Sequence, residues 1–411
     1  MTEARPTISV VIVSRGRPQS LSLCLLGVAR LVYSPYEIIV VADAAGLAAA
    51  RALPFADALK LVPCDEPNIS LARNRGIREA AGEIVAFIDD DAVPEPMWLE
   101  RLHEAFALPG VSAVGGFVRG RNGISWQWRG RSVDCQGQAH TLAIEGLLPV
   151  LPAVPERHAV KTEGTNMAVR RSVLAKLGGF DPAFRFFLDE TDLNFRLAEQ
   201  GHRTALAPAA EVHHAYGPSD LRRGDRAVRD LSAVGQSSMV FLRRHASPET
   251  HADRLSKIRL EQNKRLLQQM VDGLIEPRDV RRLLGTLEQG FEAGLAMALP
   301  HLTPLPPPAS PFLPFQSLTT GEHRVISGRY WRVRAIRREA ETLAQAGHVV
   351  SVYVFSRTFL FHSLRFKKPG IWWQRGGLWG RSERRLSLRQ FNFFAKRVQI
   401  ECQRVASARW R

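Results

Sequence analysis

The chain is poor in cysteine and has no long apolar run. Its four cysteines among 411 residues, Cys24, Cys64, Cys135 and Cys402, are scattered without CxxC spacing or a neighbouring histidine cluster. This pattern excludes a disulfide framework and a cysteine zinc site, and we interpret the four thiols as reduced packing residues. No stretch of about eighteen apolar residues runs without a charge, so we expect no membrane-spanning helix.

The amino terminus lacks the features of an export signal. It reads MTEARPTISVVIVSRGRP, with an acidic residue and an early charge. A signal peptide would instead begin with basic residues and continue with an uninterrupted apolar stretch. We therefore expect a cytoplasmic protein.

Acidic residues are scarce at the other end of the chain. The net charge is +16, and residues 321–411 hold 20 Lys and Arg against 5 Glu and no Asp. The rest of the chain is almost neutral.

The length of the chain favours two or three structural units. The proline-dense segment LPHLTPLPPPASPFLPF reads as an extended linker. We predict a sheet domain at 1–246, a helical extension at 247–298, a Pro-rich linker at 299–320 and a basic α/β accessory region at 321–411.

The first half of the sequence alternates short β-branched apolar segments with segments of helical period. The predicted strands are 8–14, 37–43, 59–63 and 83–89, the predicted helices are 19–31 and 69–81, and a helical region at 220–298 is interrupted at Glu276-Pro277. This alternation predicts an α/β fold, with a mostly parallel, Rossmann-like sheet flanked by helices. Such a sheet binds ligands at the carboxyl ends of its strands.

Three consecutive carboxylates, Asp89, Asp90 and Asp91, end the fourth predicted strand in the segment FIDDDAVPEPMWL. Like charges at this spacing repel, and a divalent cation would neutralise them. Oxygen ligands suit Mg²⁺ or Mn²⁺, which would bridge to the diphosphate of a nucleotide. The alternative is a solvated acidic turn in which Asp90 or Asp91 caps the next helix.

A second acidic cluster, Asp189, Glu190 and Asp192, lies at the start of a predicted helix. One or two acids there would serve as a helix cap, and three exceed what a cap needs. A carboxylate beside an acceptor hydroxyl could take its proton, an effect of about 10²–10⁴ in rate. His213 and His214 end a further strand or loop, ALAPAAEVHH, as structural residues or as further metal ligands.

Eight segments between residues 7 and 246 follow one another in an order that is recognisable. They are VVIVSRGRP, EIIVVAD, NISLARNRG, FIDDDAVPEP, GTNMAVRR, GGFD, DETDLNFRL and VHH. In this order and spacing the chain resembles bacterial family 2 glycosyltransferases over somewhat more than half of its length. The resemblance implies a GT-A fold, a nucleotide-sugar donor, an Mg²⁺ or Mn²⁺ ion and inversion at the anomeric carbon.

The resemblance also implies roles for single residues. The metal would be held by Asp89, Asp91 and His213, with His214 as the substitute for His213. The DETDL segment puts Glu190 where the family usually has an aspartate, which makes Glu190 the expected base and Asp192 its rival. The nucleotide sugar would contact Ser14, Arg15, Asp43, Arg73, Asp89, Asp90, Gly164 and Asn166. Asp43 stands alone where the family usually has paired acids, so the nucleotide preference stays open.

These roles predict an inverting glycosyltransferase that moves a sugar from a nucleotide sugar to a hydroxyl of a glycan or a lipid-linked acceptor. One alternative is a sugar-phosphate nucleotidyltransferase, although that class usually carries a glycine-rich basic loop where residues 14–18 hold one glycine. Another is a non-catalytic carbohydrate-binding protein, which would not require carboxylates at both the strand end and the helix start.

The basic region at 321–411 interleaves aromatic and basic side chains in FLFHSLRFKKPGIWWQRGGLWGRSERR. Tryptophan and arginine together suit the headgroup boundary of an anionic membrane. Peripheral contact with the inner face of the cell membrane would fit a lipid-linked acceptor. The alternatives are a packed accessory domain whose arginines face solvent and, least favoured, a nucleic-acid-binding surface.

Overall fold

The structure is a computed structural model and describes residues 5–215, 223, 225, 227–383, 386–388 and 390–410. The start of the predicted helical region at 220 lies outside these residues. The strands are β1 (Ile8–Ser14), β2 (Tyr36–Ala42), β3 (Leu59–Pro63), β4 (Ile84–Asp89), β5 (Ala92–Pro94), β6 (Val111–Arg119), β7 (Trp126–Trp128), β8 (Arg131–Asp134), β9 (Ala139–Thr141), β10 (His158–Lys161), β11 (Met167–Arg170), β12 (Arg203–His214), β13 (His323–Gly328), β14 (Val349–Ser356), β15 (Ser363–Lys367) and β16 (Ile371–Gly377). The helices are α1 (Pro18–Val28), α2 (Ala44–Arg51), α3 (Ile69–Glu79), α4 (Trp98–Phe106), α5 (Arg171–Lys176), α6 (Asp189–Glu199), α7 (Ser232–His245), α8 (His251–Val271), α9 (Pro277–Ala296), α10 (Val333–Gln345) and α11 (Phe394–Arg409).

The main sheet has the strand order β3-β2-β1-β4-β11-β6-β12-β5, with β7 paired to β6. The strands β1 to β4 run parallel, as do β6 and β12, whereas β11 and β5 run antiparallel to their neighbours. This confirms the predicted α/β fold with a mostly parallel sheet flanked by helices. The four predicted strands match β1 to β4 within one residue at each end.

The central strand β1 is buried along its whole length. Val10 and Ile12 pack into the apolar cluster on one face of the sheet, and Val11 and Val13 pack into the cluster on the other. Because successive side chains of a strand point to opposite faces, a strand covered on both faces is mostly apolar. This explains the apolar residues of ISVVIVS, in which the buried Ser9 donates its hydroxyl to Glu37 Oε1 at 2.6 Å and Ser14 lies at the carboxyl end.

The helix α3 begins where the sequence provides a cap. The Asn68 side chain accepts a hydrogen bond from the Leu71 amide at 3.1 Å, as an N-cap residue does. Gly82 follows the helix and lets the chain pass against β1, since a Cβ there would lie 2.7 Å from the Ser9 amide nitrogen. The helix carries Arg73, whose guanidinium lies 3.2 Å from Asp89 at the carboxyl end of β4.

Three helices form a separate apolar cluster beside the sheet. The helical region is interrupted at Glu276-Pro277 as predicted: Pro277 begins α9, and the side chains of Glu276 and Asp279 form a capping box there. The helix α7 crosses α9 closely because Gly235 and Gly290 lie at the crossing, where a Cβ would meet backbone atoms of the other helix. The predicted boundary at residue 246 falls just after α7, and it remains a proposal.

The proline-rich segment after α9 is irregular and lies along the sheet domain. Its backbone bonds to that domain include the Phe315 amide to the Tyr36 carbonyl at 2.8 Å and the Leu318 amide to the Ala29 carbonyl at 2.7 Å. The Phe315 side chain is buried in the main core. The segment is therefore bound to the sheet domain over much of its length.

The C-terminal region forms a sheet with the order β13-β14-β16-β15, in which the helix α10 connects β13 and β14. It packs on the main sheet through an apolar cluster that includes Val93 and Leu364. The Met97 amide donates to the Ala408 carbonyl of α11 at 2.9 Å. No helix among the described residues is long and apolar enough to cross a membrane, and the four cysteines are free.

Candidate active site

The three acids at the end of β4 differ in how far they are exposed to solvent. Ser14 donates its hydroxyl to Asp90 Oδ2 at 2.6 Å, and Asp90 is fully buried. Burial raises the pKa of Asp90 to about 7, although Arg17 acts to lower it. The side chain of Asp89 is 25% exposed. Asp90 is thus part of the interior, Asp89 is partly exposed, and Asp91 is buried but lines the cleft described below.

One of the two consecutive histidines joins these acids. His214 Nε2 lies 3.1 Å from Asp91 Oδ1, and ligand atoms of Asp89, Asp91 and His214 all lie within 4.8 Å of one another. His213, the predicted metal ligand, instead places its Nε2 2.7 Å from Glu95 Oε1. Neighbouring residues on a strand face opposite sides, so only one of the pair can face the acids. The geometry favours the substitute, His214, over His213.

Arg17 supplies positive charge to the same acids, and sequence reasoning missed it. Its guanidinium lies 2.9 Å from Asp91 Oδ2 and 2.7 Å from Asp90 Oδ1, and its side chain is 28% exposed. In this structure the partly exposed Arg17 therefore balances part of the negative charge of these acids. The available signal is the SRGRP loop, which follows β1 at the edge of the sheet where β4 also ends.

Arg73 connects the acids after β4 with the start of α6. Its guanidinium lies 3.2 Å from Asp89 Oδ1 and also forms an ion pair with Asp189. Gly164 lies against this group, because a Cβ there would be 2.4 Å from a guanidinium nitrogen. The predicted site residues Arg73 and Gly164 are thus brought to Asp89, and Gly164 acts by leaving room for Arg73.

Glu190 lies beside a lysine that the sequence did not identify. Lys161 Nζ donates to Glu190 Oε1 at 2.9 Å and lies 3.8 Å from Glu163. Burial acts to raise the pKa of Glu190, but Lys161 outweighs it and holds the pKa below the usual range. The side chain of Glu190 is 17% exposed and that of Asp189 is 4% exposed. Glu190 is therefore an ionised carboxylate that is partly exposed.

Asp192, the rival base, is enclosed. Its Oδ2 accepts from Arg196 Nε at 2.8 Å, its Oδ1 lies 2.9 Å from His245 Nε2, and its side chain is 0% exposed. Burial raises the pKa of Asp192, but Arg196 and His245 bring it below the usual value. This carboxylate anchors α6 to α7 and is closed to an acceptor.

Asn166, a predicted sugar contact, is also enclosed. Its amide nitrogen donates to the carbonyls of Phe117 and Ala210 at 2.9 and 2.8 Å, and its oxygen accepts from Trp98 Nε1 at 2.8 Å. The residue is fully buried. We assign it a structural role, because its polar atoms bind β6, β12 and α4 together.

The predicted nucleotide contacts lie at the ends of β1 and β2. Asp43 accepts from the Gly16 amide at 2.7 Å and from the Gly46 amide at 2.8 Å. Ser14 is buried against Asp90, and Arg15 is exposed in the loop after β1. Asp43 therefore fixes this loop against the start of α2 while Arg15 remains accessible.

A cleft of about 320 Å³ opens beside Asp91 and His214. The sheet domain forms one wall, and β15 of the C-terminal region forms another with Leu364, Arg365 and Phe366. The C-terminal region thus borders the candidate metal site.

Two further groups among the described residues have suitable atoms for a metal ion. One is Asp134, His140 and His158, and the other is Glu95, Glu211 and His213. In the second group each carboxylate is paired with a buried arginine: Arg409 binds Glu95 at 2.8 Å and Arg119 binds Glu211 at 2.6 Å. These arginines supply the positive charge that an ion would bring.

Comparison with known proteins identifies the family. Residues 6–229 match the model described as Glycosyltransferase like family 2. Glycosyltransferase AglE of Haloferax volcanii is 29% identical over 187 residues, which is 44% of this chain and 58% of that protein. Succinoglycan biosynthesis protein ExoM of Rhizobium meliloti is 40% identical over 158 residues, which is 37% of this chain and 46% of that protein. The matched regions span about half of these relatives' own lengths.

A more distant likeness is found among solved structures. The mannosyltransferase of Pyrobaculum calidifontis, in complex with GDP-Man and Mn²⁺, is 18% identical and covers 72% of this chain and 88% of that chain, with a TM-score of 0.43. The family match does not depend on it. Because that match covers more than half of the chain, this protein belongs to glycosyltransferase family 2.

Proposed function

We propose that this protein transfers a sugar from a nucleoside-diphosphate sugar to a hydroxyl of a glycan or lipid-linked acceptor, with inversion and with Mg²⁺ or Mn²⁺. The observation that carries the proposal is the convergence of Asp89, Asp91 and His214 within 4.8 Å, beside the carboxyl ends of the parallel strands. Family membership and the ionised Glu190 support it.

The three side chains fit a divalent ion. Carboxylate oxygens suit Mg²⁺ and Mn²⁺, and an imidazole nitrogen is compatible with Mn²⁺. Asp91 and His214 are the proposed direct ligands, and Asp89 holds the ion or the ribose. A bound ion would stabilise the charge that develops on the leaving diphosphate. Arg17, which pairs with the acids in this structure, is placed to pair with the diphosphate instead.

The donor nucleotide is proposed to lie over the loop that follows β1. Arg15 is accessible there, and Asp43 fixes the loop by accepting from the Gly16 amide at 2.7 Å. Arg73 acts from below, because its contact with Asp89 at 3.2 Å orients that carboxylate. These residues bind and orient the donor, and they leave its sugar facing Glu190.

Glu190 is the proposed base. The acceptor hydroxyl oxygen forms a bond to the anomeric carbon, the bond from that carbon to the diphosphate oxygen breaks, and the hydroxyl proton passes to Glu190. The products are the glycoside and a nucleoside diphosphate. Lys161 keeps Glu190 ionised before transfer, since its Nζ donates to Oε1 at 2.9 Å.

A screen of UDP-, GDP- and dTDP-sugars with MnCl₂ tests the proposal. We expect release of the nucleoside diphosphate from at least one donor, loss of that release with EDTA, and recovery with added Mn²⁺ or Mg²⁺. Release of pyrophosphate from a nucleoside triphosphate and a sugar phosphate would identify a nucleotidyltransferase instead. Carbohydrate binding without turnover of any donor would contradict the enzymatic proposal.

The C-terminal region carries a candidate membrane surface. Phe361 and Phe393 are 61% and 89% exposed, and the Arg381 guanidinium lies 4.8 Å from the Phe361 ring centroid. Residues 321–411 hold 20 Lys and Arg against 5 Glu. Exposed aromatic rings among arginines suit an anionic headgroup layer. We therefore propose peripheral contact with a membrane on the cytoplasmic side, which would suit a lipid-linked acceptor.

Sedimentation with phosphatidylglycerol vesicles tests this contact. We expect the full chain to sediment with the vesicles at low salt and less so at high salt. The double variant Phe361→Ser, Phe393→Ser should stay in solution. The control Leu267→Ser, Val271→Ser removes exposed apolar side chains from α8 and should bind normally. Equal binding by both variants would contradict the proposal.

A further inference from the structure

His213 lies on the side of β12 that faces away from the proposed metal ligands. Its Nε2 is 2.7 Å from Glu95 Oε1, and its ring centroid is 4.7 Å from that of Trp372 in β16. The contact is a hydrogen bond between the His213 ring and the Glu95 carboxylate. His213 is therefore held by one residue of the sheet domain and one of the C-terminal region.

Glu95 in turn is fixed by the last helix. Arg409 ends α11 and donates from Nε and Nη2 to the two carboxylate oxygens of Glu95 at 2.8 and 2.9 Å. Its Nη1 donates to Ser351 Oγ of β14 at 2.8 Å. Glu95 is fully buried and Arg409 is 1% exposed, so water cannot replace either partner.

A short ladder joins this ion pair to the proposed metal ligands. The strand β5 pairs antiparallel with the end of β12. At one end of the ladder the Ala215 amide donates to the Asp91 carbonyl at 2.8 Å, and at the other the Glu95 amide donates to the Glu211 carbonyl at 3.0 Å. The segment that carries Asp91 is therefore hydrogen-bonded along its backbone to the strand that carries His214. Glu95 makes the hydrogen bond at one end of this pairing.

We propose that Arg409 is a positioning residue for the metal site: through Glu95 and His213 it sets the orientation in which His214 meets Asp91. This rests on the proposed function, in which Asp91 and His214 bind the ion. Loss of a contact that orients metal ligands typically weakens metal binding about 10- to 100-fold. The C-terminal region therefore completes the active site, in addition to bordering its cleft.

Calorimetric titration of the full chain with MnCl₂ tests the inference. Arg409→Met removes the cation and keeps a long side chain. Arg397→Met is the matched control, because Arg397 lies in the same helix and pairs with the buried Glu401 at 3.1 Å. We expect Arg409→Met to raise the Kd for Mn²⁺ about 10- to 100-fold and Arg397→Met to leave it within about threefold, although both lower the melting temperature. Arg409→Lys keeps a cation and should have an intermediate Kd.

The variants separate the inference from the proposed function. A folded Arg409→Met protein with the wild-type Kd would overturn the inference and leave the function standing. Failure of the wild type to bind Mn²⁺ would overturn both. If Arg409→Met does not fold, His213→Phe takes its place, because it keeps the ring against Trp372 and removes the hydrogen bond to Glu95. We expect the same weakening, and a wild-type Kd in that variant would also overturn the inference.

Discussion

His213 and His214 are adjacent in sequence, yet they lie in acidic groups with different counter-ions. The group of His213 contains Glu95, whose partner Arg409 is 1% exposed. The group of His214 contains Asp91, whose partner Arg17 is 28% exposed and lies in a loop. A deeply buried arginine is a permanent partner, whereas an arginine at the surface can leave when an ion binds. Between Glu95 and Asp91, the acid proposed to bind the ion is therefore the one whose arginine partner is more exposed.

The helix α6 shows a second contrast, which lies in the exposure of the acids themselves. Asp192 is 0% exposed and is bound by Arg196 and His245, so its carboxylate fixes the helix. Glu190 is 17% exposed and is bound by Lys161 on one oxygen. Two acids near the start of one helix thus differ in burial and in the number of their partners, and this difference is the basis for proposing Glu190 as the base.

The largest effect is expected from Asp91→Ala. The change removes a proposed ion ligand, and stabilisation of the leaving group by several kcal/mol corresponds to about a 10⁴-fold loss in kcat. Rates of nucleoside diphosphate release with Mn²⁺ present measure it. Asp134→Ala alters one of the other acidic groups and should retain activity. Wild-type turnover in Asp91→Ala would remove the distinction between the two groups.

Glu190→Gln is expected to lower kcat by about 10³-fold, because the amide cannot accept the acceptor proton. The donor and Mn²⁺ dissociation constants should stay unchanged, since neither is bound by Glu190. Stopped assays of product formation and calorimetry measure the two quantities. Full kcat in this variant would show that another group is the base.

Asp192→Asn is expected to affect stability and spare catalysis. It leaves Arg196 and His245 without a buried carboxylate, which costs about 3 kcal/mol of unfolding free energy. Urea denaturation measures the loss, while kcat below the unfolding transition should match the wild type. A stable Asp192→Asn protein without activity would make Asp192 the base.

The smallest expected effect at neutral pH comes from Lys161→Met. Burial raises the pKa of Glu190 and Lys161 lowers it, so removal of Lys161 moves that pKa upward. Activity requires ionised Glu190 and is lost as the pH falls through its pKa. The acidic limb of the kcat profile should therefore move to higher pH, with the rate at alkaline pH unchanged. Arg131→Met, which alters the cation beside Glu163, is the control, and an unmoved limb would argue against the base.

The sequence revealed the strands and the acids because both depend on local pattern. Residues 8–14 are apolar except for Ser9 and Ser14, since both faces of β1 are covered, and Asp89 to Asp91 come at the end of the fourth predicted strand. The choice between His213 and His214 depends on which face each occupies. A register shift in β12 between Ala207 and Glu211 breaks the alternation, so counting along the strand does not predict it.

The contacts that sequence reasoning missed are long-range. Arg409 lies 314 positions from Glu95, and no local pattern connects them. Asn166 stands in a motif of the family, but only the packed sheet shows that its amide binds three elements together. No local pattern marks Lys161 at the end of the short strand β10, because its partner Glu190 lies in the helix α6. Side-chain orientation and tertiary partners, which decide these roles, exist only in the folded chain.

Anomalous diffraction from crystals soaked with MnCl₂ and UDP or GDP tests the central claim most directly. We expect one strong peak in contact with Asp91 and His214, with the diphosphate on its other side. A peak at Asp134, His140 and His158, or bound nucleotide without any peak beside Asp91, would contradict the account.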